Sequence, residues 1–289
     1  MGHALFARRT GRNEAFNHAG NAFAAAVAGG AAYVWGPAAV FFLIAGMAAA
    51  TIISVLVLPA AAIDHERARG LRDGTSENAT QPSGFQVLLT CRPLLIFAAC
   101  AVLFHLANAA MLPLVGQKLA LQDRNAGTSL MSACIVAAQV IMVPMAILVG
   151  RKANIWGRKP LFLAGFLILP IRGALYTFSD DPYWLVGVQL LDGVGAGLYG
   201  ALFPLIVADL MEGTGRFNVA LGAVTTAQGI GASLSTALAG VIVVKAGYSA
   251  AFLTLAVIAV AGLALFWLAM PETWRSNEEP VTGDYQTPR

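Results

Sequence analysis

Residues 130–178 read LMSACIVAAQVIMVPMAILV, then GRKANIWGRKP, then LFLAGFLILPIRGALYTF. These are two apolar runs joined by a short basic loop. Each run has close to the ~20 residues that an α-helix needs to cross about 30 Å of hydrocarbon. The same alternation continues on both sides of this stretch, so a membrane-crossing helical hairpin is the repeating unit that decides the fold.

Eight apolar runs follow one another along the chain. They are 15–34, 38–58, 85–114, 130–149, 161–178, 184–207, 219–244 and 250–270. The 289-residue chain is 58% hydrophobic and 11% charged, whereas a soluble domain carries about 25% charged residues. The sequence therefore predicts an all-α polytopic transmembrane helical bundle of about eight helices.

The longest internal polar stretch divides these runs unequally. Residues 64–84 (DHERARGLRDGTSENATQPSG) have the composition of a flexible linker. We therefore predict two helices within residues 1–63, a cytoplasmic linker over 64–84 and a six-helix unit over 85–270. Residues 271–289 are polar and are predicted to form a disordered cytoplasmic tail.

The basic residues predict the orientation of the bundle. With both termini in the cytoplasm, 14 of the 18 lysines and arginines lie on the cytoplasmic side. Only Lys118, Arg124 and Lys245 lie outside, and Arg172 falls inside an apolar run. Because cytoplasmic loops carry an excess of Lys and Arg, the sequence predicts a multi-pass protein of the cell membrane with both ends inside.

Several kinds of chemistry have no motif in this sequence. It contains no HExxH, GxSxG or GxxxxGK[ST] pattern, so neither an enzyme nor an ATP-driven pump is expected. Cys91, Cys100 and Cys134 are scattered in apolar surroundings without CxxC spacing, which predicts neither a disulfide nor a metal site. We expect no cofactor and, because no basic stretch is interleaved with aromatics, no nucleic-acid partner.

One charged pair stands inside the predicted spans. Arg172 lies about six residues before the outer end of its run, and Asp192 about nine residues into the next one. At about 1.5 Å per residue their depths differ by roughly 5 Å, within reach of an arginine side chain. Because a charge in the membrane needs a partner or a wet cavity, we predict an Arg172–Asp192 pair. It is either a structural lock or part of a proton or substrate pathway.

Other polar residues in the runs are candidates for the wall of a cavity. Gln189 and Tyr199 share a helical face with Asp192, beside the close-packing glycines Gly193 and Gly197. The further candidates are His105, Asn108, Gln139, Gln228, Asn17 and Asn21. A membrane histidine also often only bonds a neighbouring helix, and the two asparagines also suit an interfacial position.

The basic loop resembles a known signature. Its spacing is similar to the signature loop of the major facilitator superfamily, with Asn154 in place of the usual acid and Ile155 in place of the first arginine. The residues assigned to this signature loop are Gly150, Arg151, Asn154, Gly157, Arg158 and Lys159. This departure fits the degenerate copy between the eighth and ninth helices of that family. Residues 12–21 and 189–197 also resemble its drug and metabolite efflux branch.

The resemblance implies a position within a larger fold. Aligned on the loop, the eight runs match the fifth to twelfth helices of a twelve-helix transporter, whose site lies between two halves. It implies four further helices, supplied by a longer gene or by another polypeptide, unless the chain is a remnant. The expected function is secondary, proton-coupled transport of a small organic molecule, outward in direction. The alternative is an inactive remnant or a non-transporting membrane scaffold or partner subunit.

Overall fold

The computed structural model describes residues 3–36, 38–59, 86–122 and 127–274. Within these ranges the chain forms nine helices and no strand, which confirms the predicted all-α class. The helices are α1 (His3–Trp35), α2 (Ala39–Leu56), α3 (Gln86–Thr90), α4 (Arg92–Asn108), α5 (Met111–Gln122), α6 (Gly127–Trp156), α7 (Arg158–Leu175), α8 (Pro182–Leu210) and α9 (Phe217–Ala269).

Helix α9 contains two spans. Its 53 residues would measure about 80 Å at about 1.5 Å per residue, far more than one bilayer. Gly247 adopts φ 83° and ψ 174° inside it, a conformation that glycine reaches without steric cost. The chain breaks there, so the predicted runs 219–244 and 250–270 are two helices.

Each predicted run corresponds to a helix or to part of one, although several helices extend beyond their runs. Five helices or continuous helical stretches are long and apolar enough to cross a membrane: Ala39–Leu56, Arg92–Gln122, Leu130–Trp156, Pro182–Leu210 and Phe217–Ala269. With α9 counted twice, and with α1 and α7 added, the total is the predicted eight. The linker 64–84 and nearly all of the tail lie outside the described residues, so the division into units stays a prediction.

The first helix begins earlier than its apolar run. Helix α1 starts at His3, whereas the run begins at residue 15, because the polar segment also has a partner. Ala7 is fully buried, and Gly11 lies against the Ala146 carbonyl oxygen and Gly150 of α6. Helix α2, in contrast, has no buried residue.

The centre of the fold is α8, which packs on α6 and α7 through glycines. A Cβ on Gly193 would lie 2.6 Å from Ile141 Cβ and would overlap the Ala138 carbonyl oxygen. A Cβ on Gly197 would lie 3.0 Å from Met142 Cα. The predicted seam of small residues on this helix is therefore a close helix contact, of the kind that membrane bundles use in place of a hydrophobic driving force.

This seam gives a test of the packing. Gly193→Ala is expected to destabilise the protein by about 1–3 kcal/mol, the usual cost of overpacking, because backbone atoms of α6 must move. Gly187→Ala on the same helix is the control, since nothing lies within 4 Å of its Cβ position. Thermal unfolding in detergent measures both variants. Equal unfolding temperatures for the two would contradict the close contact.

Candidate functional site

The predicted pair of intramembrane charges is in contact. The Arg172 guanidinium on α7 donates through Nη1 to Asp192 Oδ1 on α8. Arg172 is 1% exposed and the Asp192 side chain 14% exposed, so the acid faces a more open space than the base. The depth argument from the sequence thus placed both residues correctly, while their role in transport stays a prediction.

Groups on neighbouring helices accept hydrogen bonds from the other nitrogen atoms of the Arg172 guanidinium. Arg172 Nη2 donates to Asn108 Oδ1, at the end of α4. The thioether sulfur of Met111, at the start of α5, lies 3.1 Å from Nη2 and 3.4 Å from Nε and is a weak acceptor. The residues on both sides of the break between α4 and α5 therefore contact this arginine. Ala110 N in that break donates to Ser235 Oγ of α9 at 3.0 Å.

The carboxylate also has a second partner. Gln189 Nε2 donates to Asp192 Oδ2 at 3.0 Å, and Gln189 Oε1 accepts a hydrogen bond from the Tyr176 hydroxyl. The Tyr176 ring centroid lies 5.9 Å from the Arg172 guanidinium carbon. Asn108, Arg172, Asp192, Gln189 and Tyr176, which we call the Arg172 network, thus form one chain of polar contacts across three spans.

A layer of aromatic rings lies next to the Arg172 network, toward the end of the bundle that carries the basic loop. Tyr199 stacks on Phe104 with ring centroids 4.4 Å apart and meets the His105 ring edge-on at 5.0 Å. The Tyr199 hydroxyl donates to Gln228 Oε1 of α9 at 3.2 Å. His105 Nδ1 lies 3.1 Å from its own helix's Ala101 carbonyl oxygen. Three predicted candidates therefore meet here, separately from the Arg172 network.

The remaining candidates lie at α1. Gln139 Oε1 lies 2.8 Å from His18 Nδ1, across the α1–α6 contact, and not in the Arg172 network. Asn17 and Asn21 are exposed, and Asn17 donates to Glu14 at 3.2 Å. The sequence analysis did not select His18, although it is 8% exposed and its Nε2 has no hydrogen-bond partner. The spacing of Glu14 and His18, one helical turn apart, was the available signal.

Arg158 organises the signature loop. It is 2% exposed, and its Nε donates to Asp209 Oδ2 of α8 at 3.0 Å. Its Nη1 donates to the Ala153 carbonyl oxygen at 2.7 Å and to Asn154 Oδ1 at 2.6 Å. Asn154, which replaces the acid of the family pattern, therefore acts as a neutral acceptor for the loop arginine.

The segment after α9 caps the start of α7. Glu272 accepts the backbone N–H of Arg158 at 2.9 Å and of Lys159 at 3.0 Å. An anion at a helix N-terminus pairs with free N–H groups and with the helix dipole. Gly157 has φ 87°, and a Cβ there would collide with the Glu272 carboxylate, which explains glycine at this loop position. Trp274 adds its ring 4.3 Å from the Arg158 guanidinium carbon.

The other loop positions have simpler surroundings. Gly150 lies against Gly11 of α1, and the Arg151 side chain is exposed. Tyr176, Asp209 and Glu272 were not predicted from the sequence, since each becomes informative only through a contact with a residue distant in sequence. Over the described residues, no group of three or more His, Cys, Asp or Glu side chains could hold a metal ion.

Comparison with known proteins agrees with this architecture. A sequence profile of the Major Facilitator Superfamily matches residues 4–169 and 98–287. Two proteins of Mycobacterium tuberculosis, the uncharacterized MFS-type transporters MT2531 and Rv2456c, are each 60% identical over 277 residues, or 96% of this chain. The chain spans 66% of the length of these relatives. The MFS-type transporter ppzB of Metarhizium rileyi is 26% identical over 140 residues, 48% of this chain and 27% of that protein.

The Arg172–Asp192 pair gives a test by double-variant analysis. Asp192→Leu is expected to cost about 3–5 kcal/mol, because it leaves a buried guanidinium without its counterion. Arg172→Met combined with Asp192→Leu should recover most of that loss, since both charges are then gone. Unfolding in detergent measures the single and double variants. Strictly additive losses would contradict a direct ion pair.

The cap of α7 gives a second test. Glu272→Gln is expected to raise hydrogen exchange at the first turn of α7 by about fivefold, because losing a charged N-terminal acceptor costs about 1 kcal/mol. Glu14→Gln makes the same chemical change on α1 and is the control. Exchange followed by mass spectrometry reads the peptide that contains residues 158–161. The same protection in both variants would argue against the cap.

Proposed function

The chain belongs to the Major Facilitator Superfamily of membrane transporters, and we propose that it acts in secondary, proton-coupled efflux of a small organic molecule. The carrying observation is the Arg172–Asp192 pair, buried in the membrane and bonded on both sides by neutral polar groups. Ionisable groups inside a membrane span are expensive and mark ion and substrate pathways.

The proton-binding step of this proposal takes place at Asp192. A proton on its carboxylate removes the negative charge that holds Arg172 Nη1. The guanidinium then keeps only Asn108 and the Met111 sulfur, both of which belong to the neighbouring α4–α5 span. Protonation thus shifts the arginine's strongest bond from α8 toward the break in that span. Asp192 is the member of the pair that can bind a proton, because the guanidinium has no acceptor atom, and its side chain is the more exposed of the two.

The substrate path of this proposal runs beside the pair. In this proposal its polar wall on one side is supplied by Gln189, Asn108, His105, Tyr199 and Gln228, beside the aromatic rings that stack on Tyr199. Gln139, Asn17 and Asn21 belong to the wall that α1 and α6 supply. The relatives are longer than this chain, and we propose that further helices, in the same polypeptide or in a partner chain, complete the cavity.

Asp192→Asn tests the coupling. The amide preserves size and can still accept a hydrogen bond, but it cannot exchange a proton at neutral pH. We expect proton-linked efflux to fall at least tenfold, with the amount of protein in the membrane unchanged. The assay uses inverted membrane vesicles, ethidium as the transported probe and a pH-sensitive dye for the proton.

Asp181→Asn is the matched control. Asp181 caps α8 through its contact with Trp184 N at 2.9 Å, and asparagine caps equally well, so efflux should be retained. Equal efflux by wild type and Asp192→Asn would reduce the pair to a structural lock. Absence of efflux by the wild-type chain, for every probe tried, would favour the alternative of a non-transporting membrane subunit.

A further inference from the structure

A groove between α1 and α6 has a strongly basic mouth. It encloses about 470 Å³ and is lined at one end by Arg8, Arg12 and Arg151, a volume within the usual range of small-molecule sites. The three arginines lie at one level, because Gly150 packs against the backbone of Ala7, Arg8 and Gly11. On the predicted orientation this level is the cytoplasmic surface of the membrane.

The three arginines that line the groove lack a counterion among the described residues. Among the described residues, none of the three forms a hydrogen bond or an ion pair, and no acid lines the groove. Arg158 and Arg172, in contrast, are both fully partnered. Three unpaired guanidinium groups around one opening favour a ligand that carries a phosphate, which guanidinium binds with good geometry.

Below the arginines the wall of the groove is apolar. Phe16 and Ala19 of α1 and Val143 and Ile147 of α6 continue it toward the membrane interior. Phe16 is 72% exposed, so its ring is available for contact. A charged mouth above an apolar wall matches a molecule with an anionic head and hydrocarbon tails, and does not match a free anion.

The groove lies on a different face of α6 from the contact between α6 and α8. On α6 the side chains that meet α8 include Ile141 and Met145, whereas Val143 and Ile147 line the groove. At about 3.6 residues per turn these two sets lie on roughly opposite faces of α6. The groove is therefore separated from the Arg172 network by the body of this helix.

We propose that this groove is a binding site for an anionic phospholipid of the cytoplasmic leaflet. Its phosphate is held by Arg8, Arg12 and Arg151, and its acyl chains lie along Phe16 and Ile147. Basic pockets between helices on the cytoplasmic side bind anionic lipid head groups through this combination of charge and apolar surface. The lipid bridges α1 and α6, which otherwise meet through small residues and through the His18–Gln139 contact.

Native mass spectrometry of the full chain in detergent, stripped of lipid, tests this site. Phosphatidylglycerol and phosphatidylcholine with identical acyl chains are titrated separately. The first phosphatidylglycerol is expected to bind at least tenfold more tightly, since each arginine near a lipid head group contributes about fivefold. Replacing Arg8, Arg12 and Arg151 by Gln should abolish this preference. Equal affinities for the two lipids in the wild type would overturn the proposal.

A matched variant separates the groove from general surface charge. Gln at Arg9, Lys152 and Lys159 removes the same number of charges from the same end of the bundle, outside the groove. It should retain the preference for phosphatidylglycerol. A loss equal to that of the groove variant would show a diffuse electrostatic effect and would refute a defined site.

Two further measurements separate a lipid from a free anion. Ala19→Trp fills the apolar wall while keeping every cation, and it should weaken phosphatidylglycerol binding at least fivefold. It also tests the groove independently of whether the triple variant folds. Millimolar inorganic phosphate should not displace the lipid. Displacement by phosphate, or unchanged binding by Ala19→Trp, would contradict a phospholipid site.

Discussion

The need to compensate a buried guanidinium governs the arrangement of this bundle. Arg158 and Arg172 are the two largest fully buried side chains in the part of the chain that the structure describes. An uncompensated charge at such a position would cost several kcal/mol. Each arginine therefore draws partners from several helices, so the contacts that neutralise them also fix which helices are neighbours.

Both arginines stand on α7 and both pair with α8. Arg172 meets Asp192, and Arg158 meets Asp209. The acids are separated by about 25 Å along α8 and the arginines by about 21 Å along α7, at about 1.5 Å per residue. The two antiparallel helices are thus tied at two distant levels, and the aromatic layer around Tyr199 and Phe166 fills the space between the ties.

The features that could be predicted from the sequence are those that depend on a residue's position along its own helix. Span lengths and the Arg172–Asp192 contact follow from counting residues at a fixed helical rise, and Gly193 and Gly197 follow from residue size. Glu272 was not predictable in this way, because its partner lies 114 residues earlier and an acid after the last span looks like ordinary surface. The position of Gln139 was also not predictable, since the face that it presents to α1 depends on how two distant helices meet.

Strong polar contacts are distributed unevenly among the helix pairs. Ion pairs at two levels join α7 and α8, which opposes the sliding of one helix along the other. The α1–α6 contact, in contrast, is made largely by small residues such as Ala7, Gly11 and Ala146, together with the polar contact between His18 and Gln139. The α4–α5 break is tied to the α7–α8 pair, since Asn108 and Met111 flank it and both touch Arg172. In the proposed mechanism, a change of charge at Asp192 acts on the α4–α5 break through Arg172, while the Arg158–Asp209 pair continues to join α7 and α8.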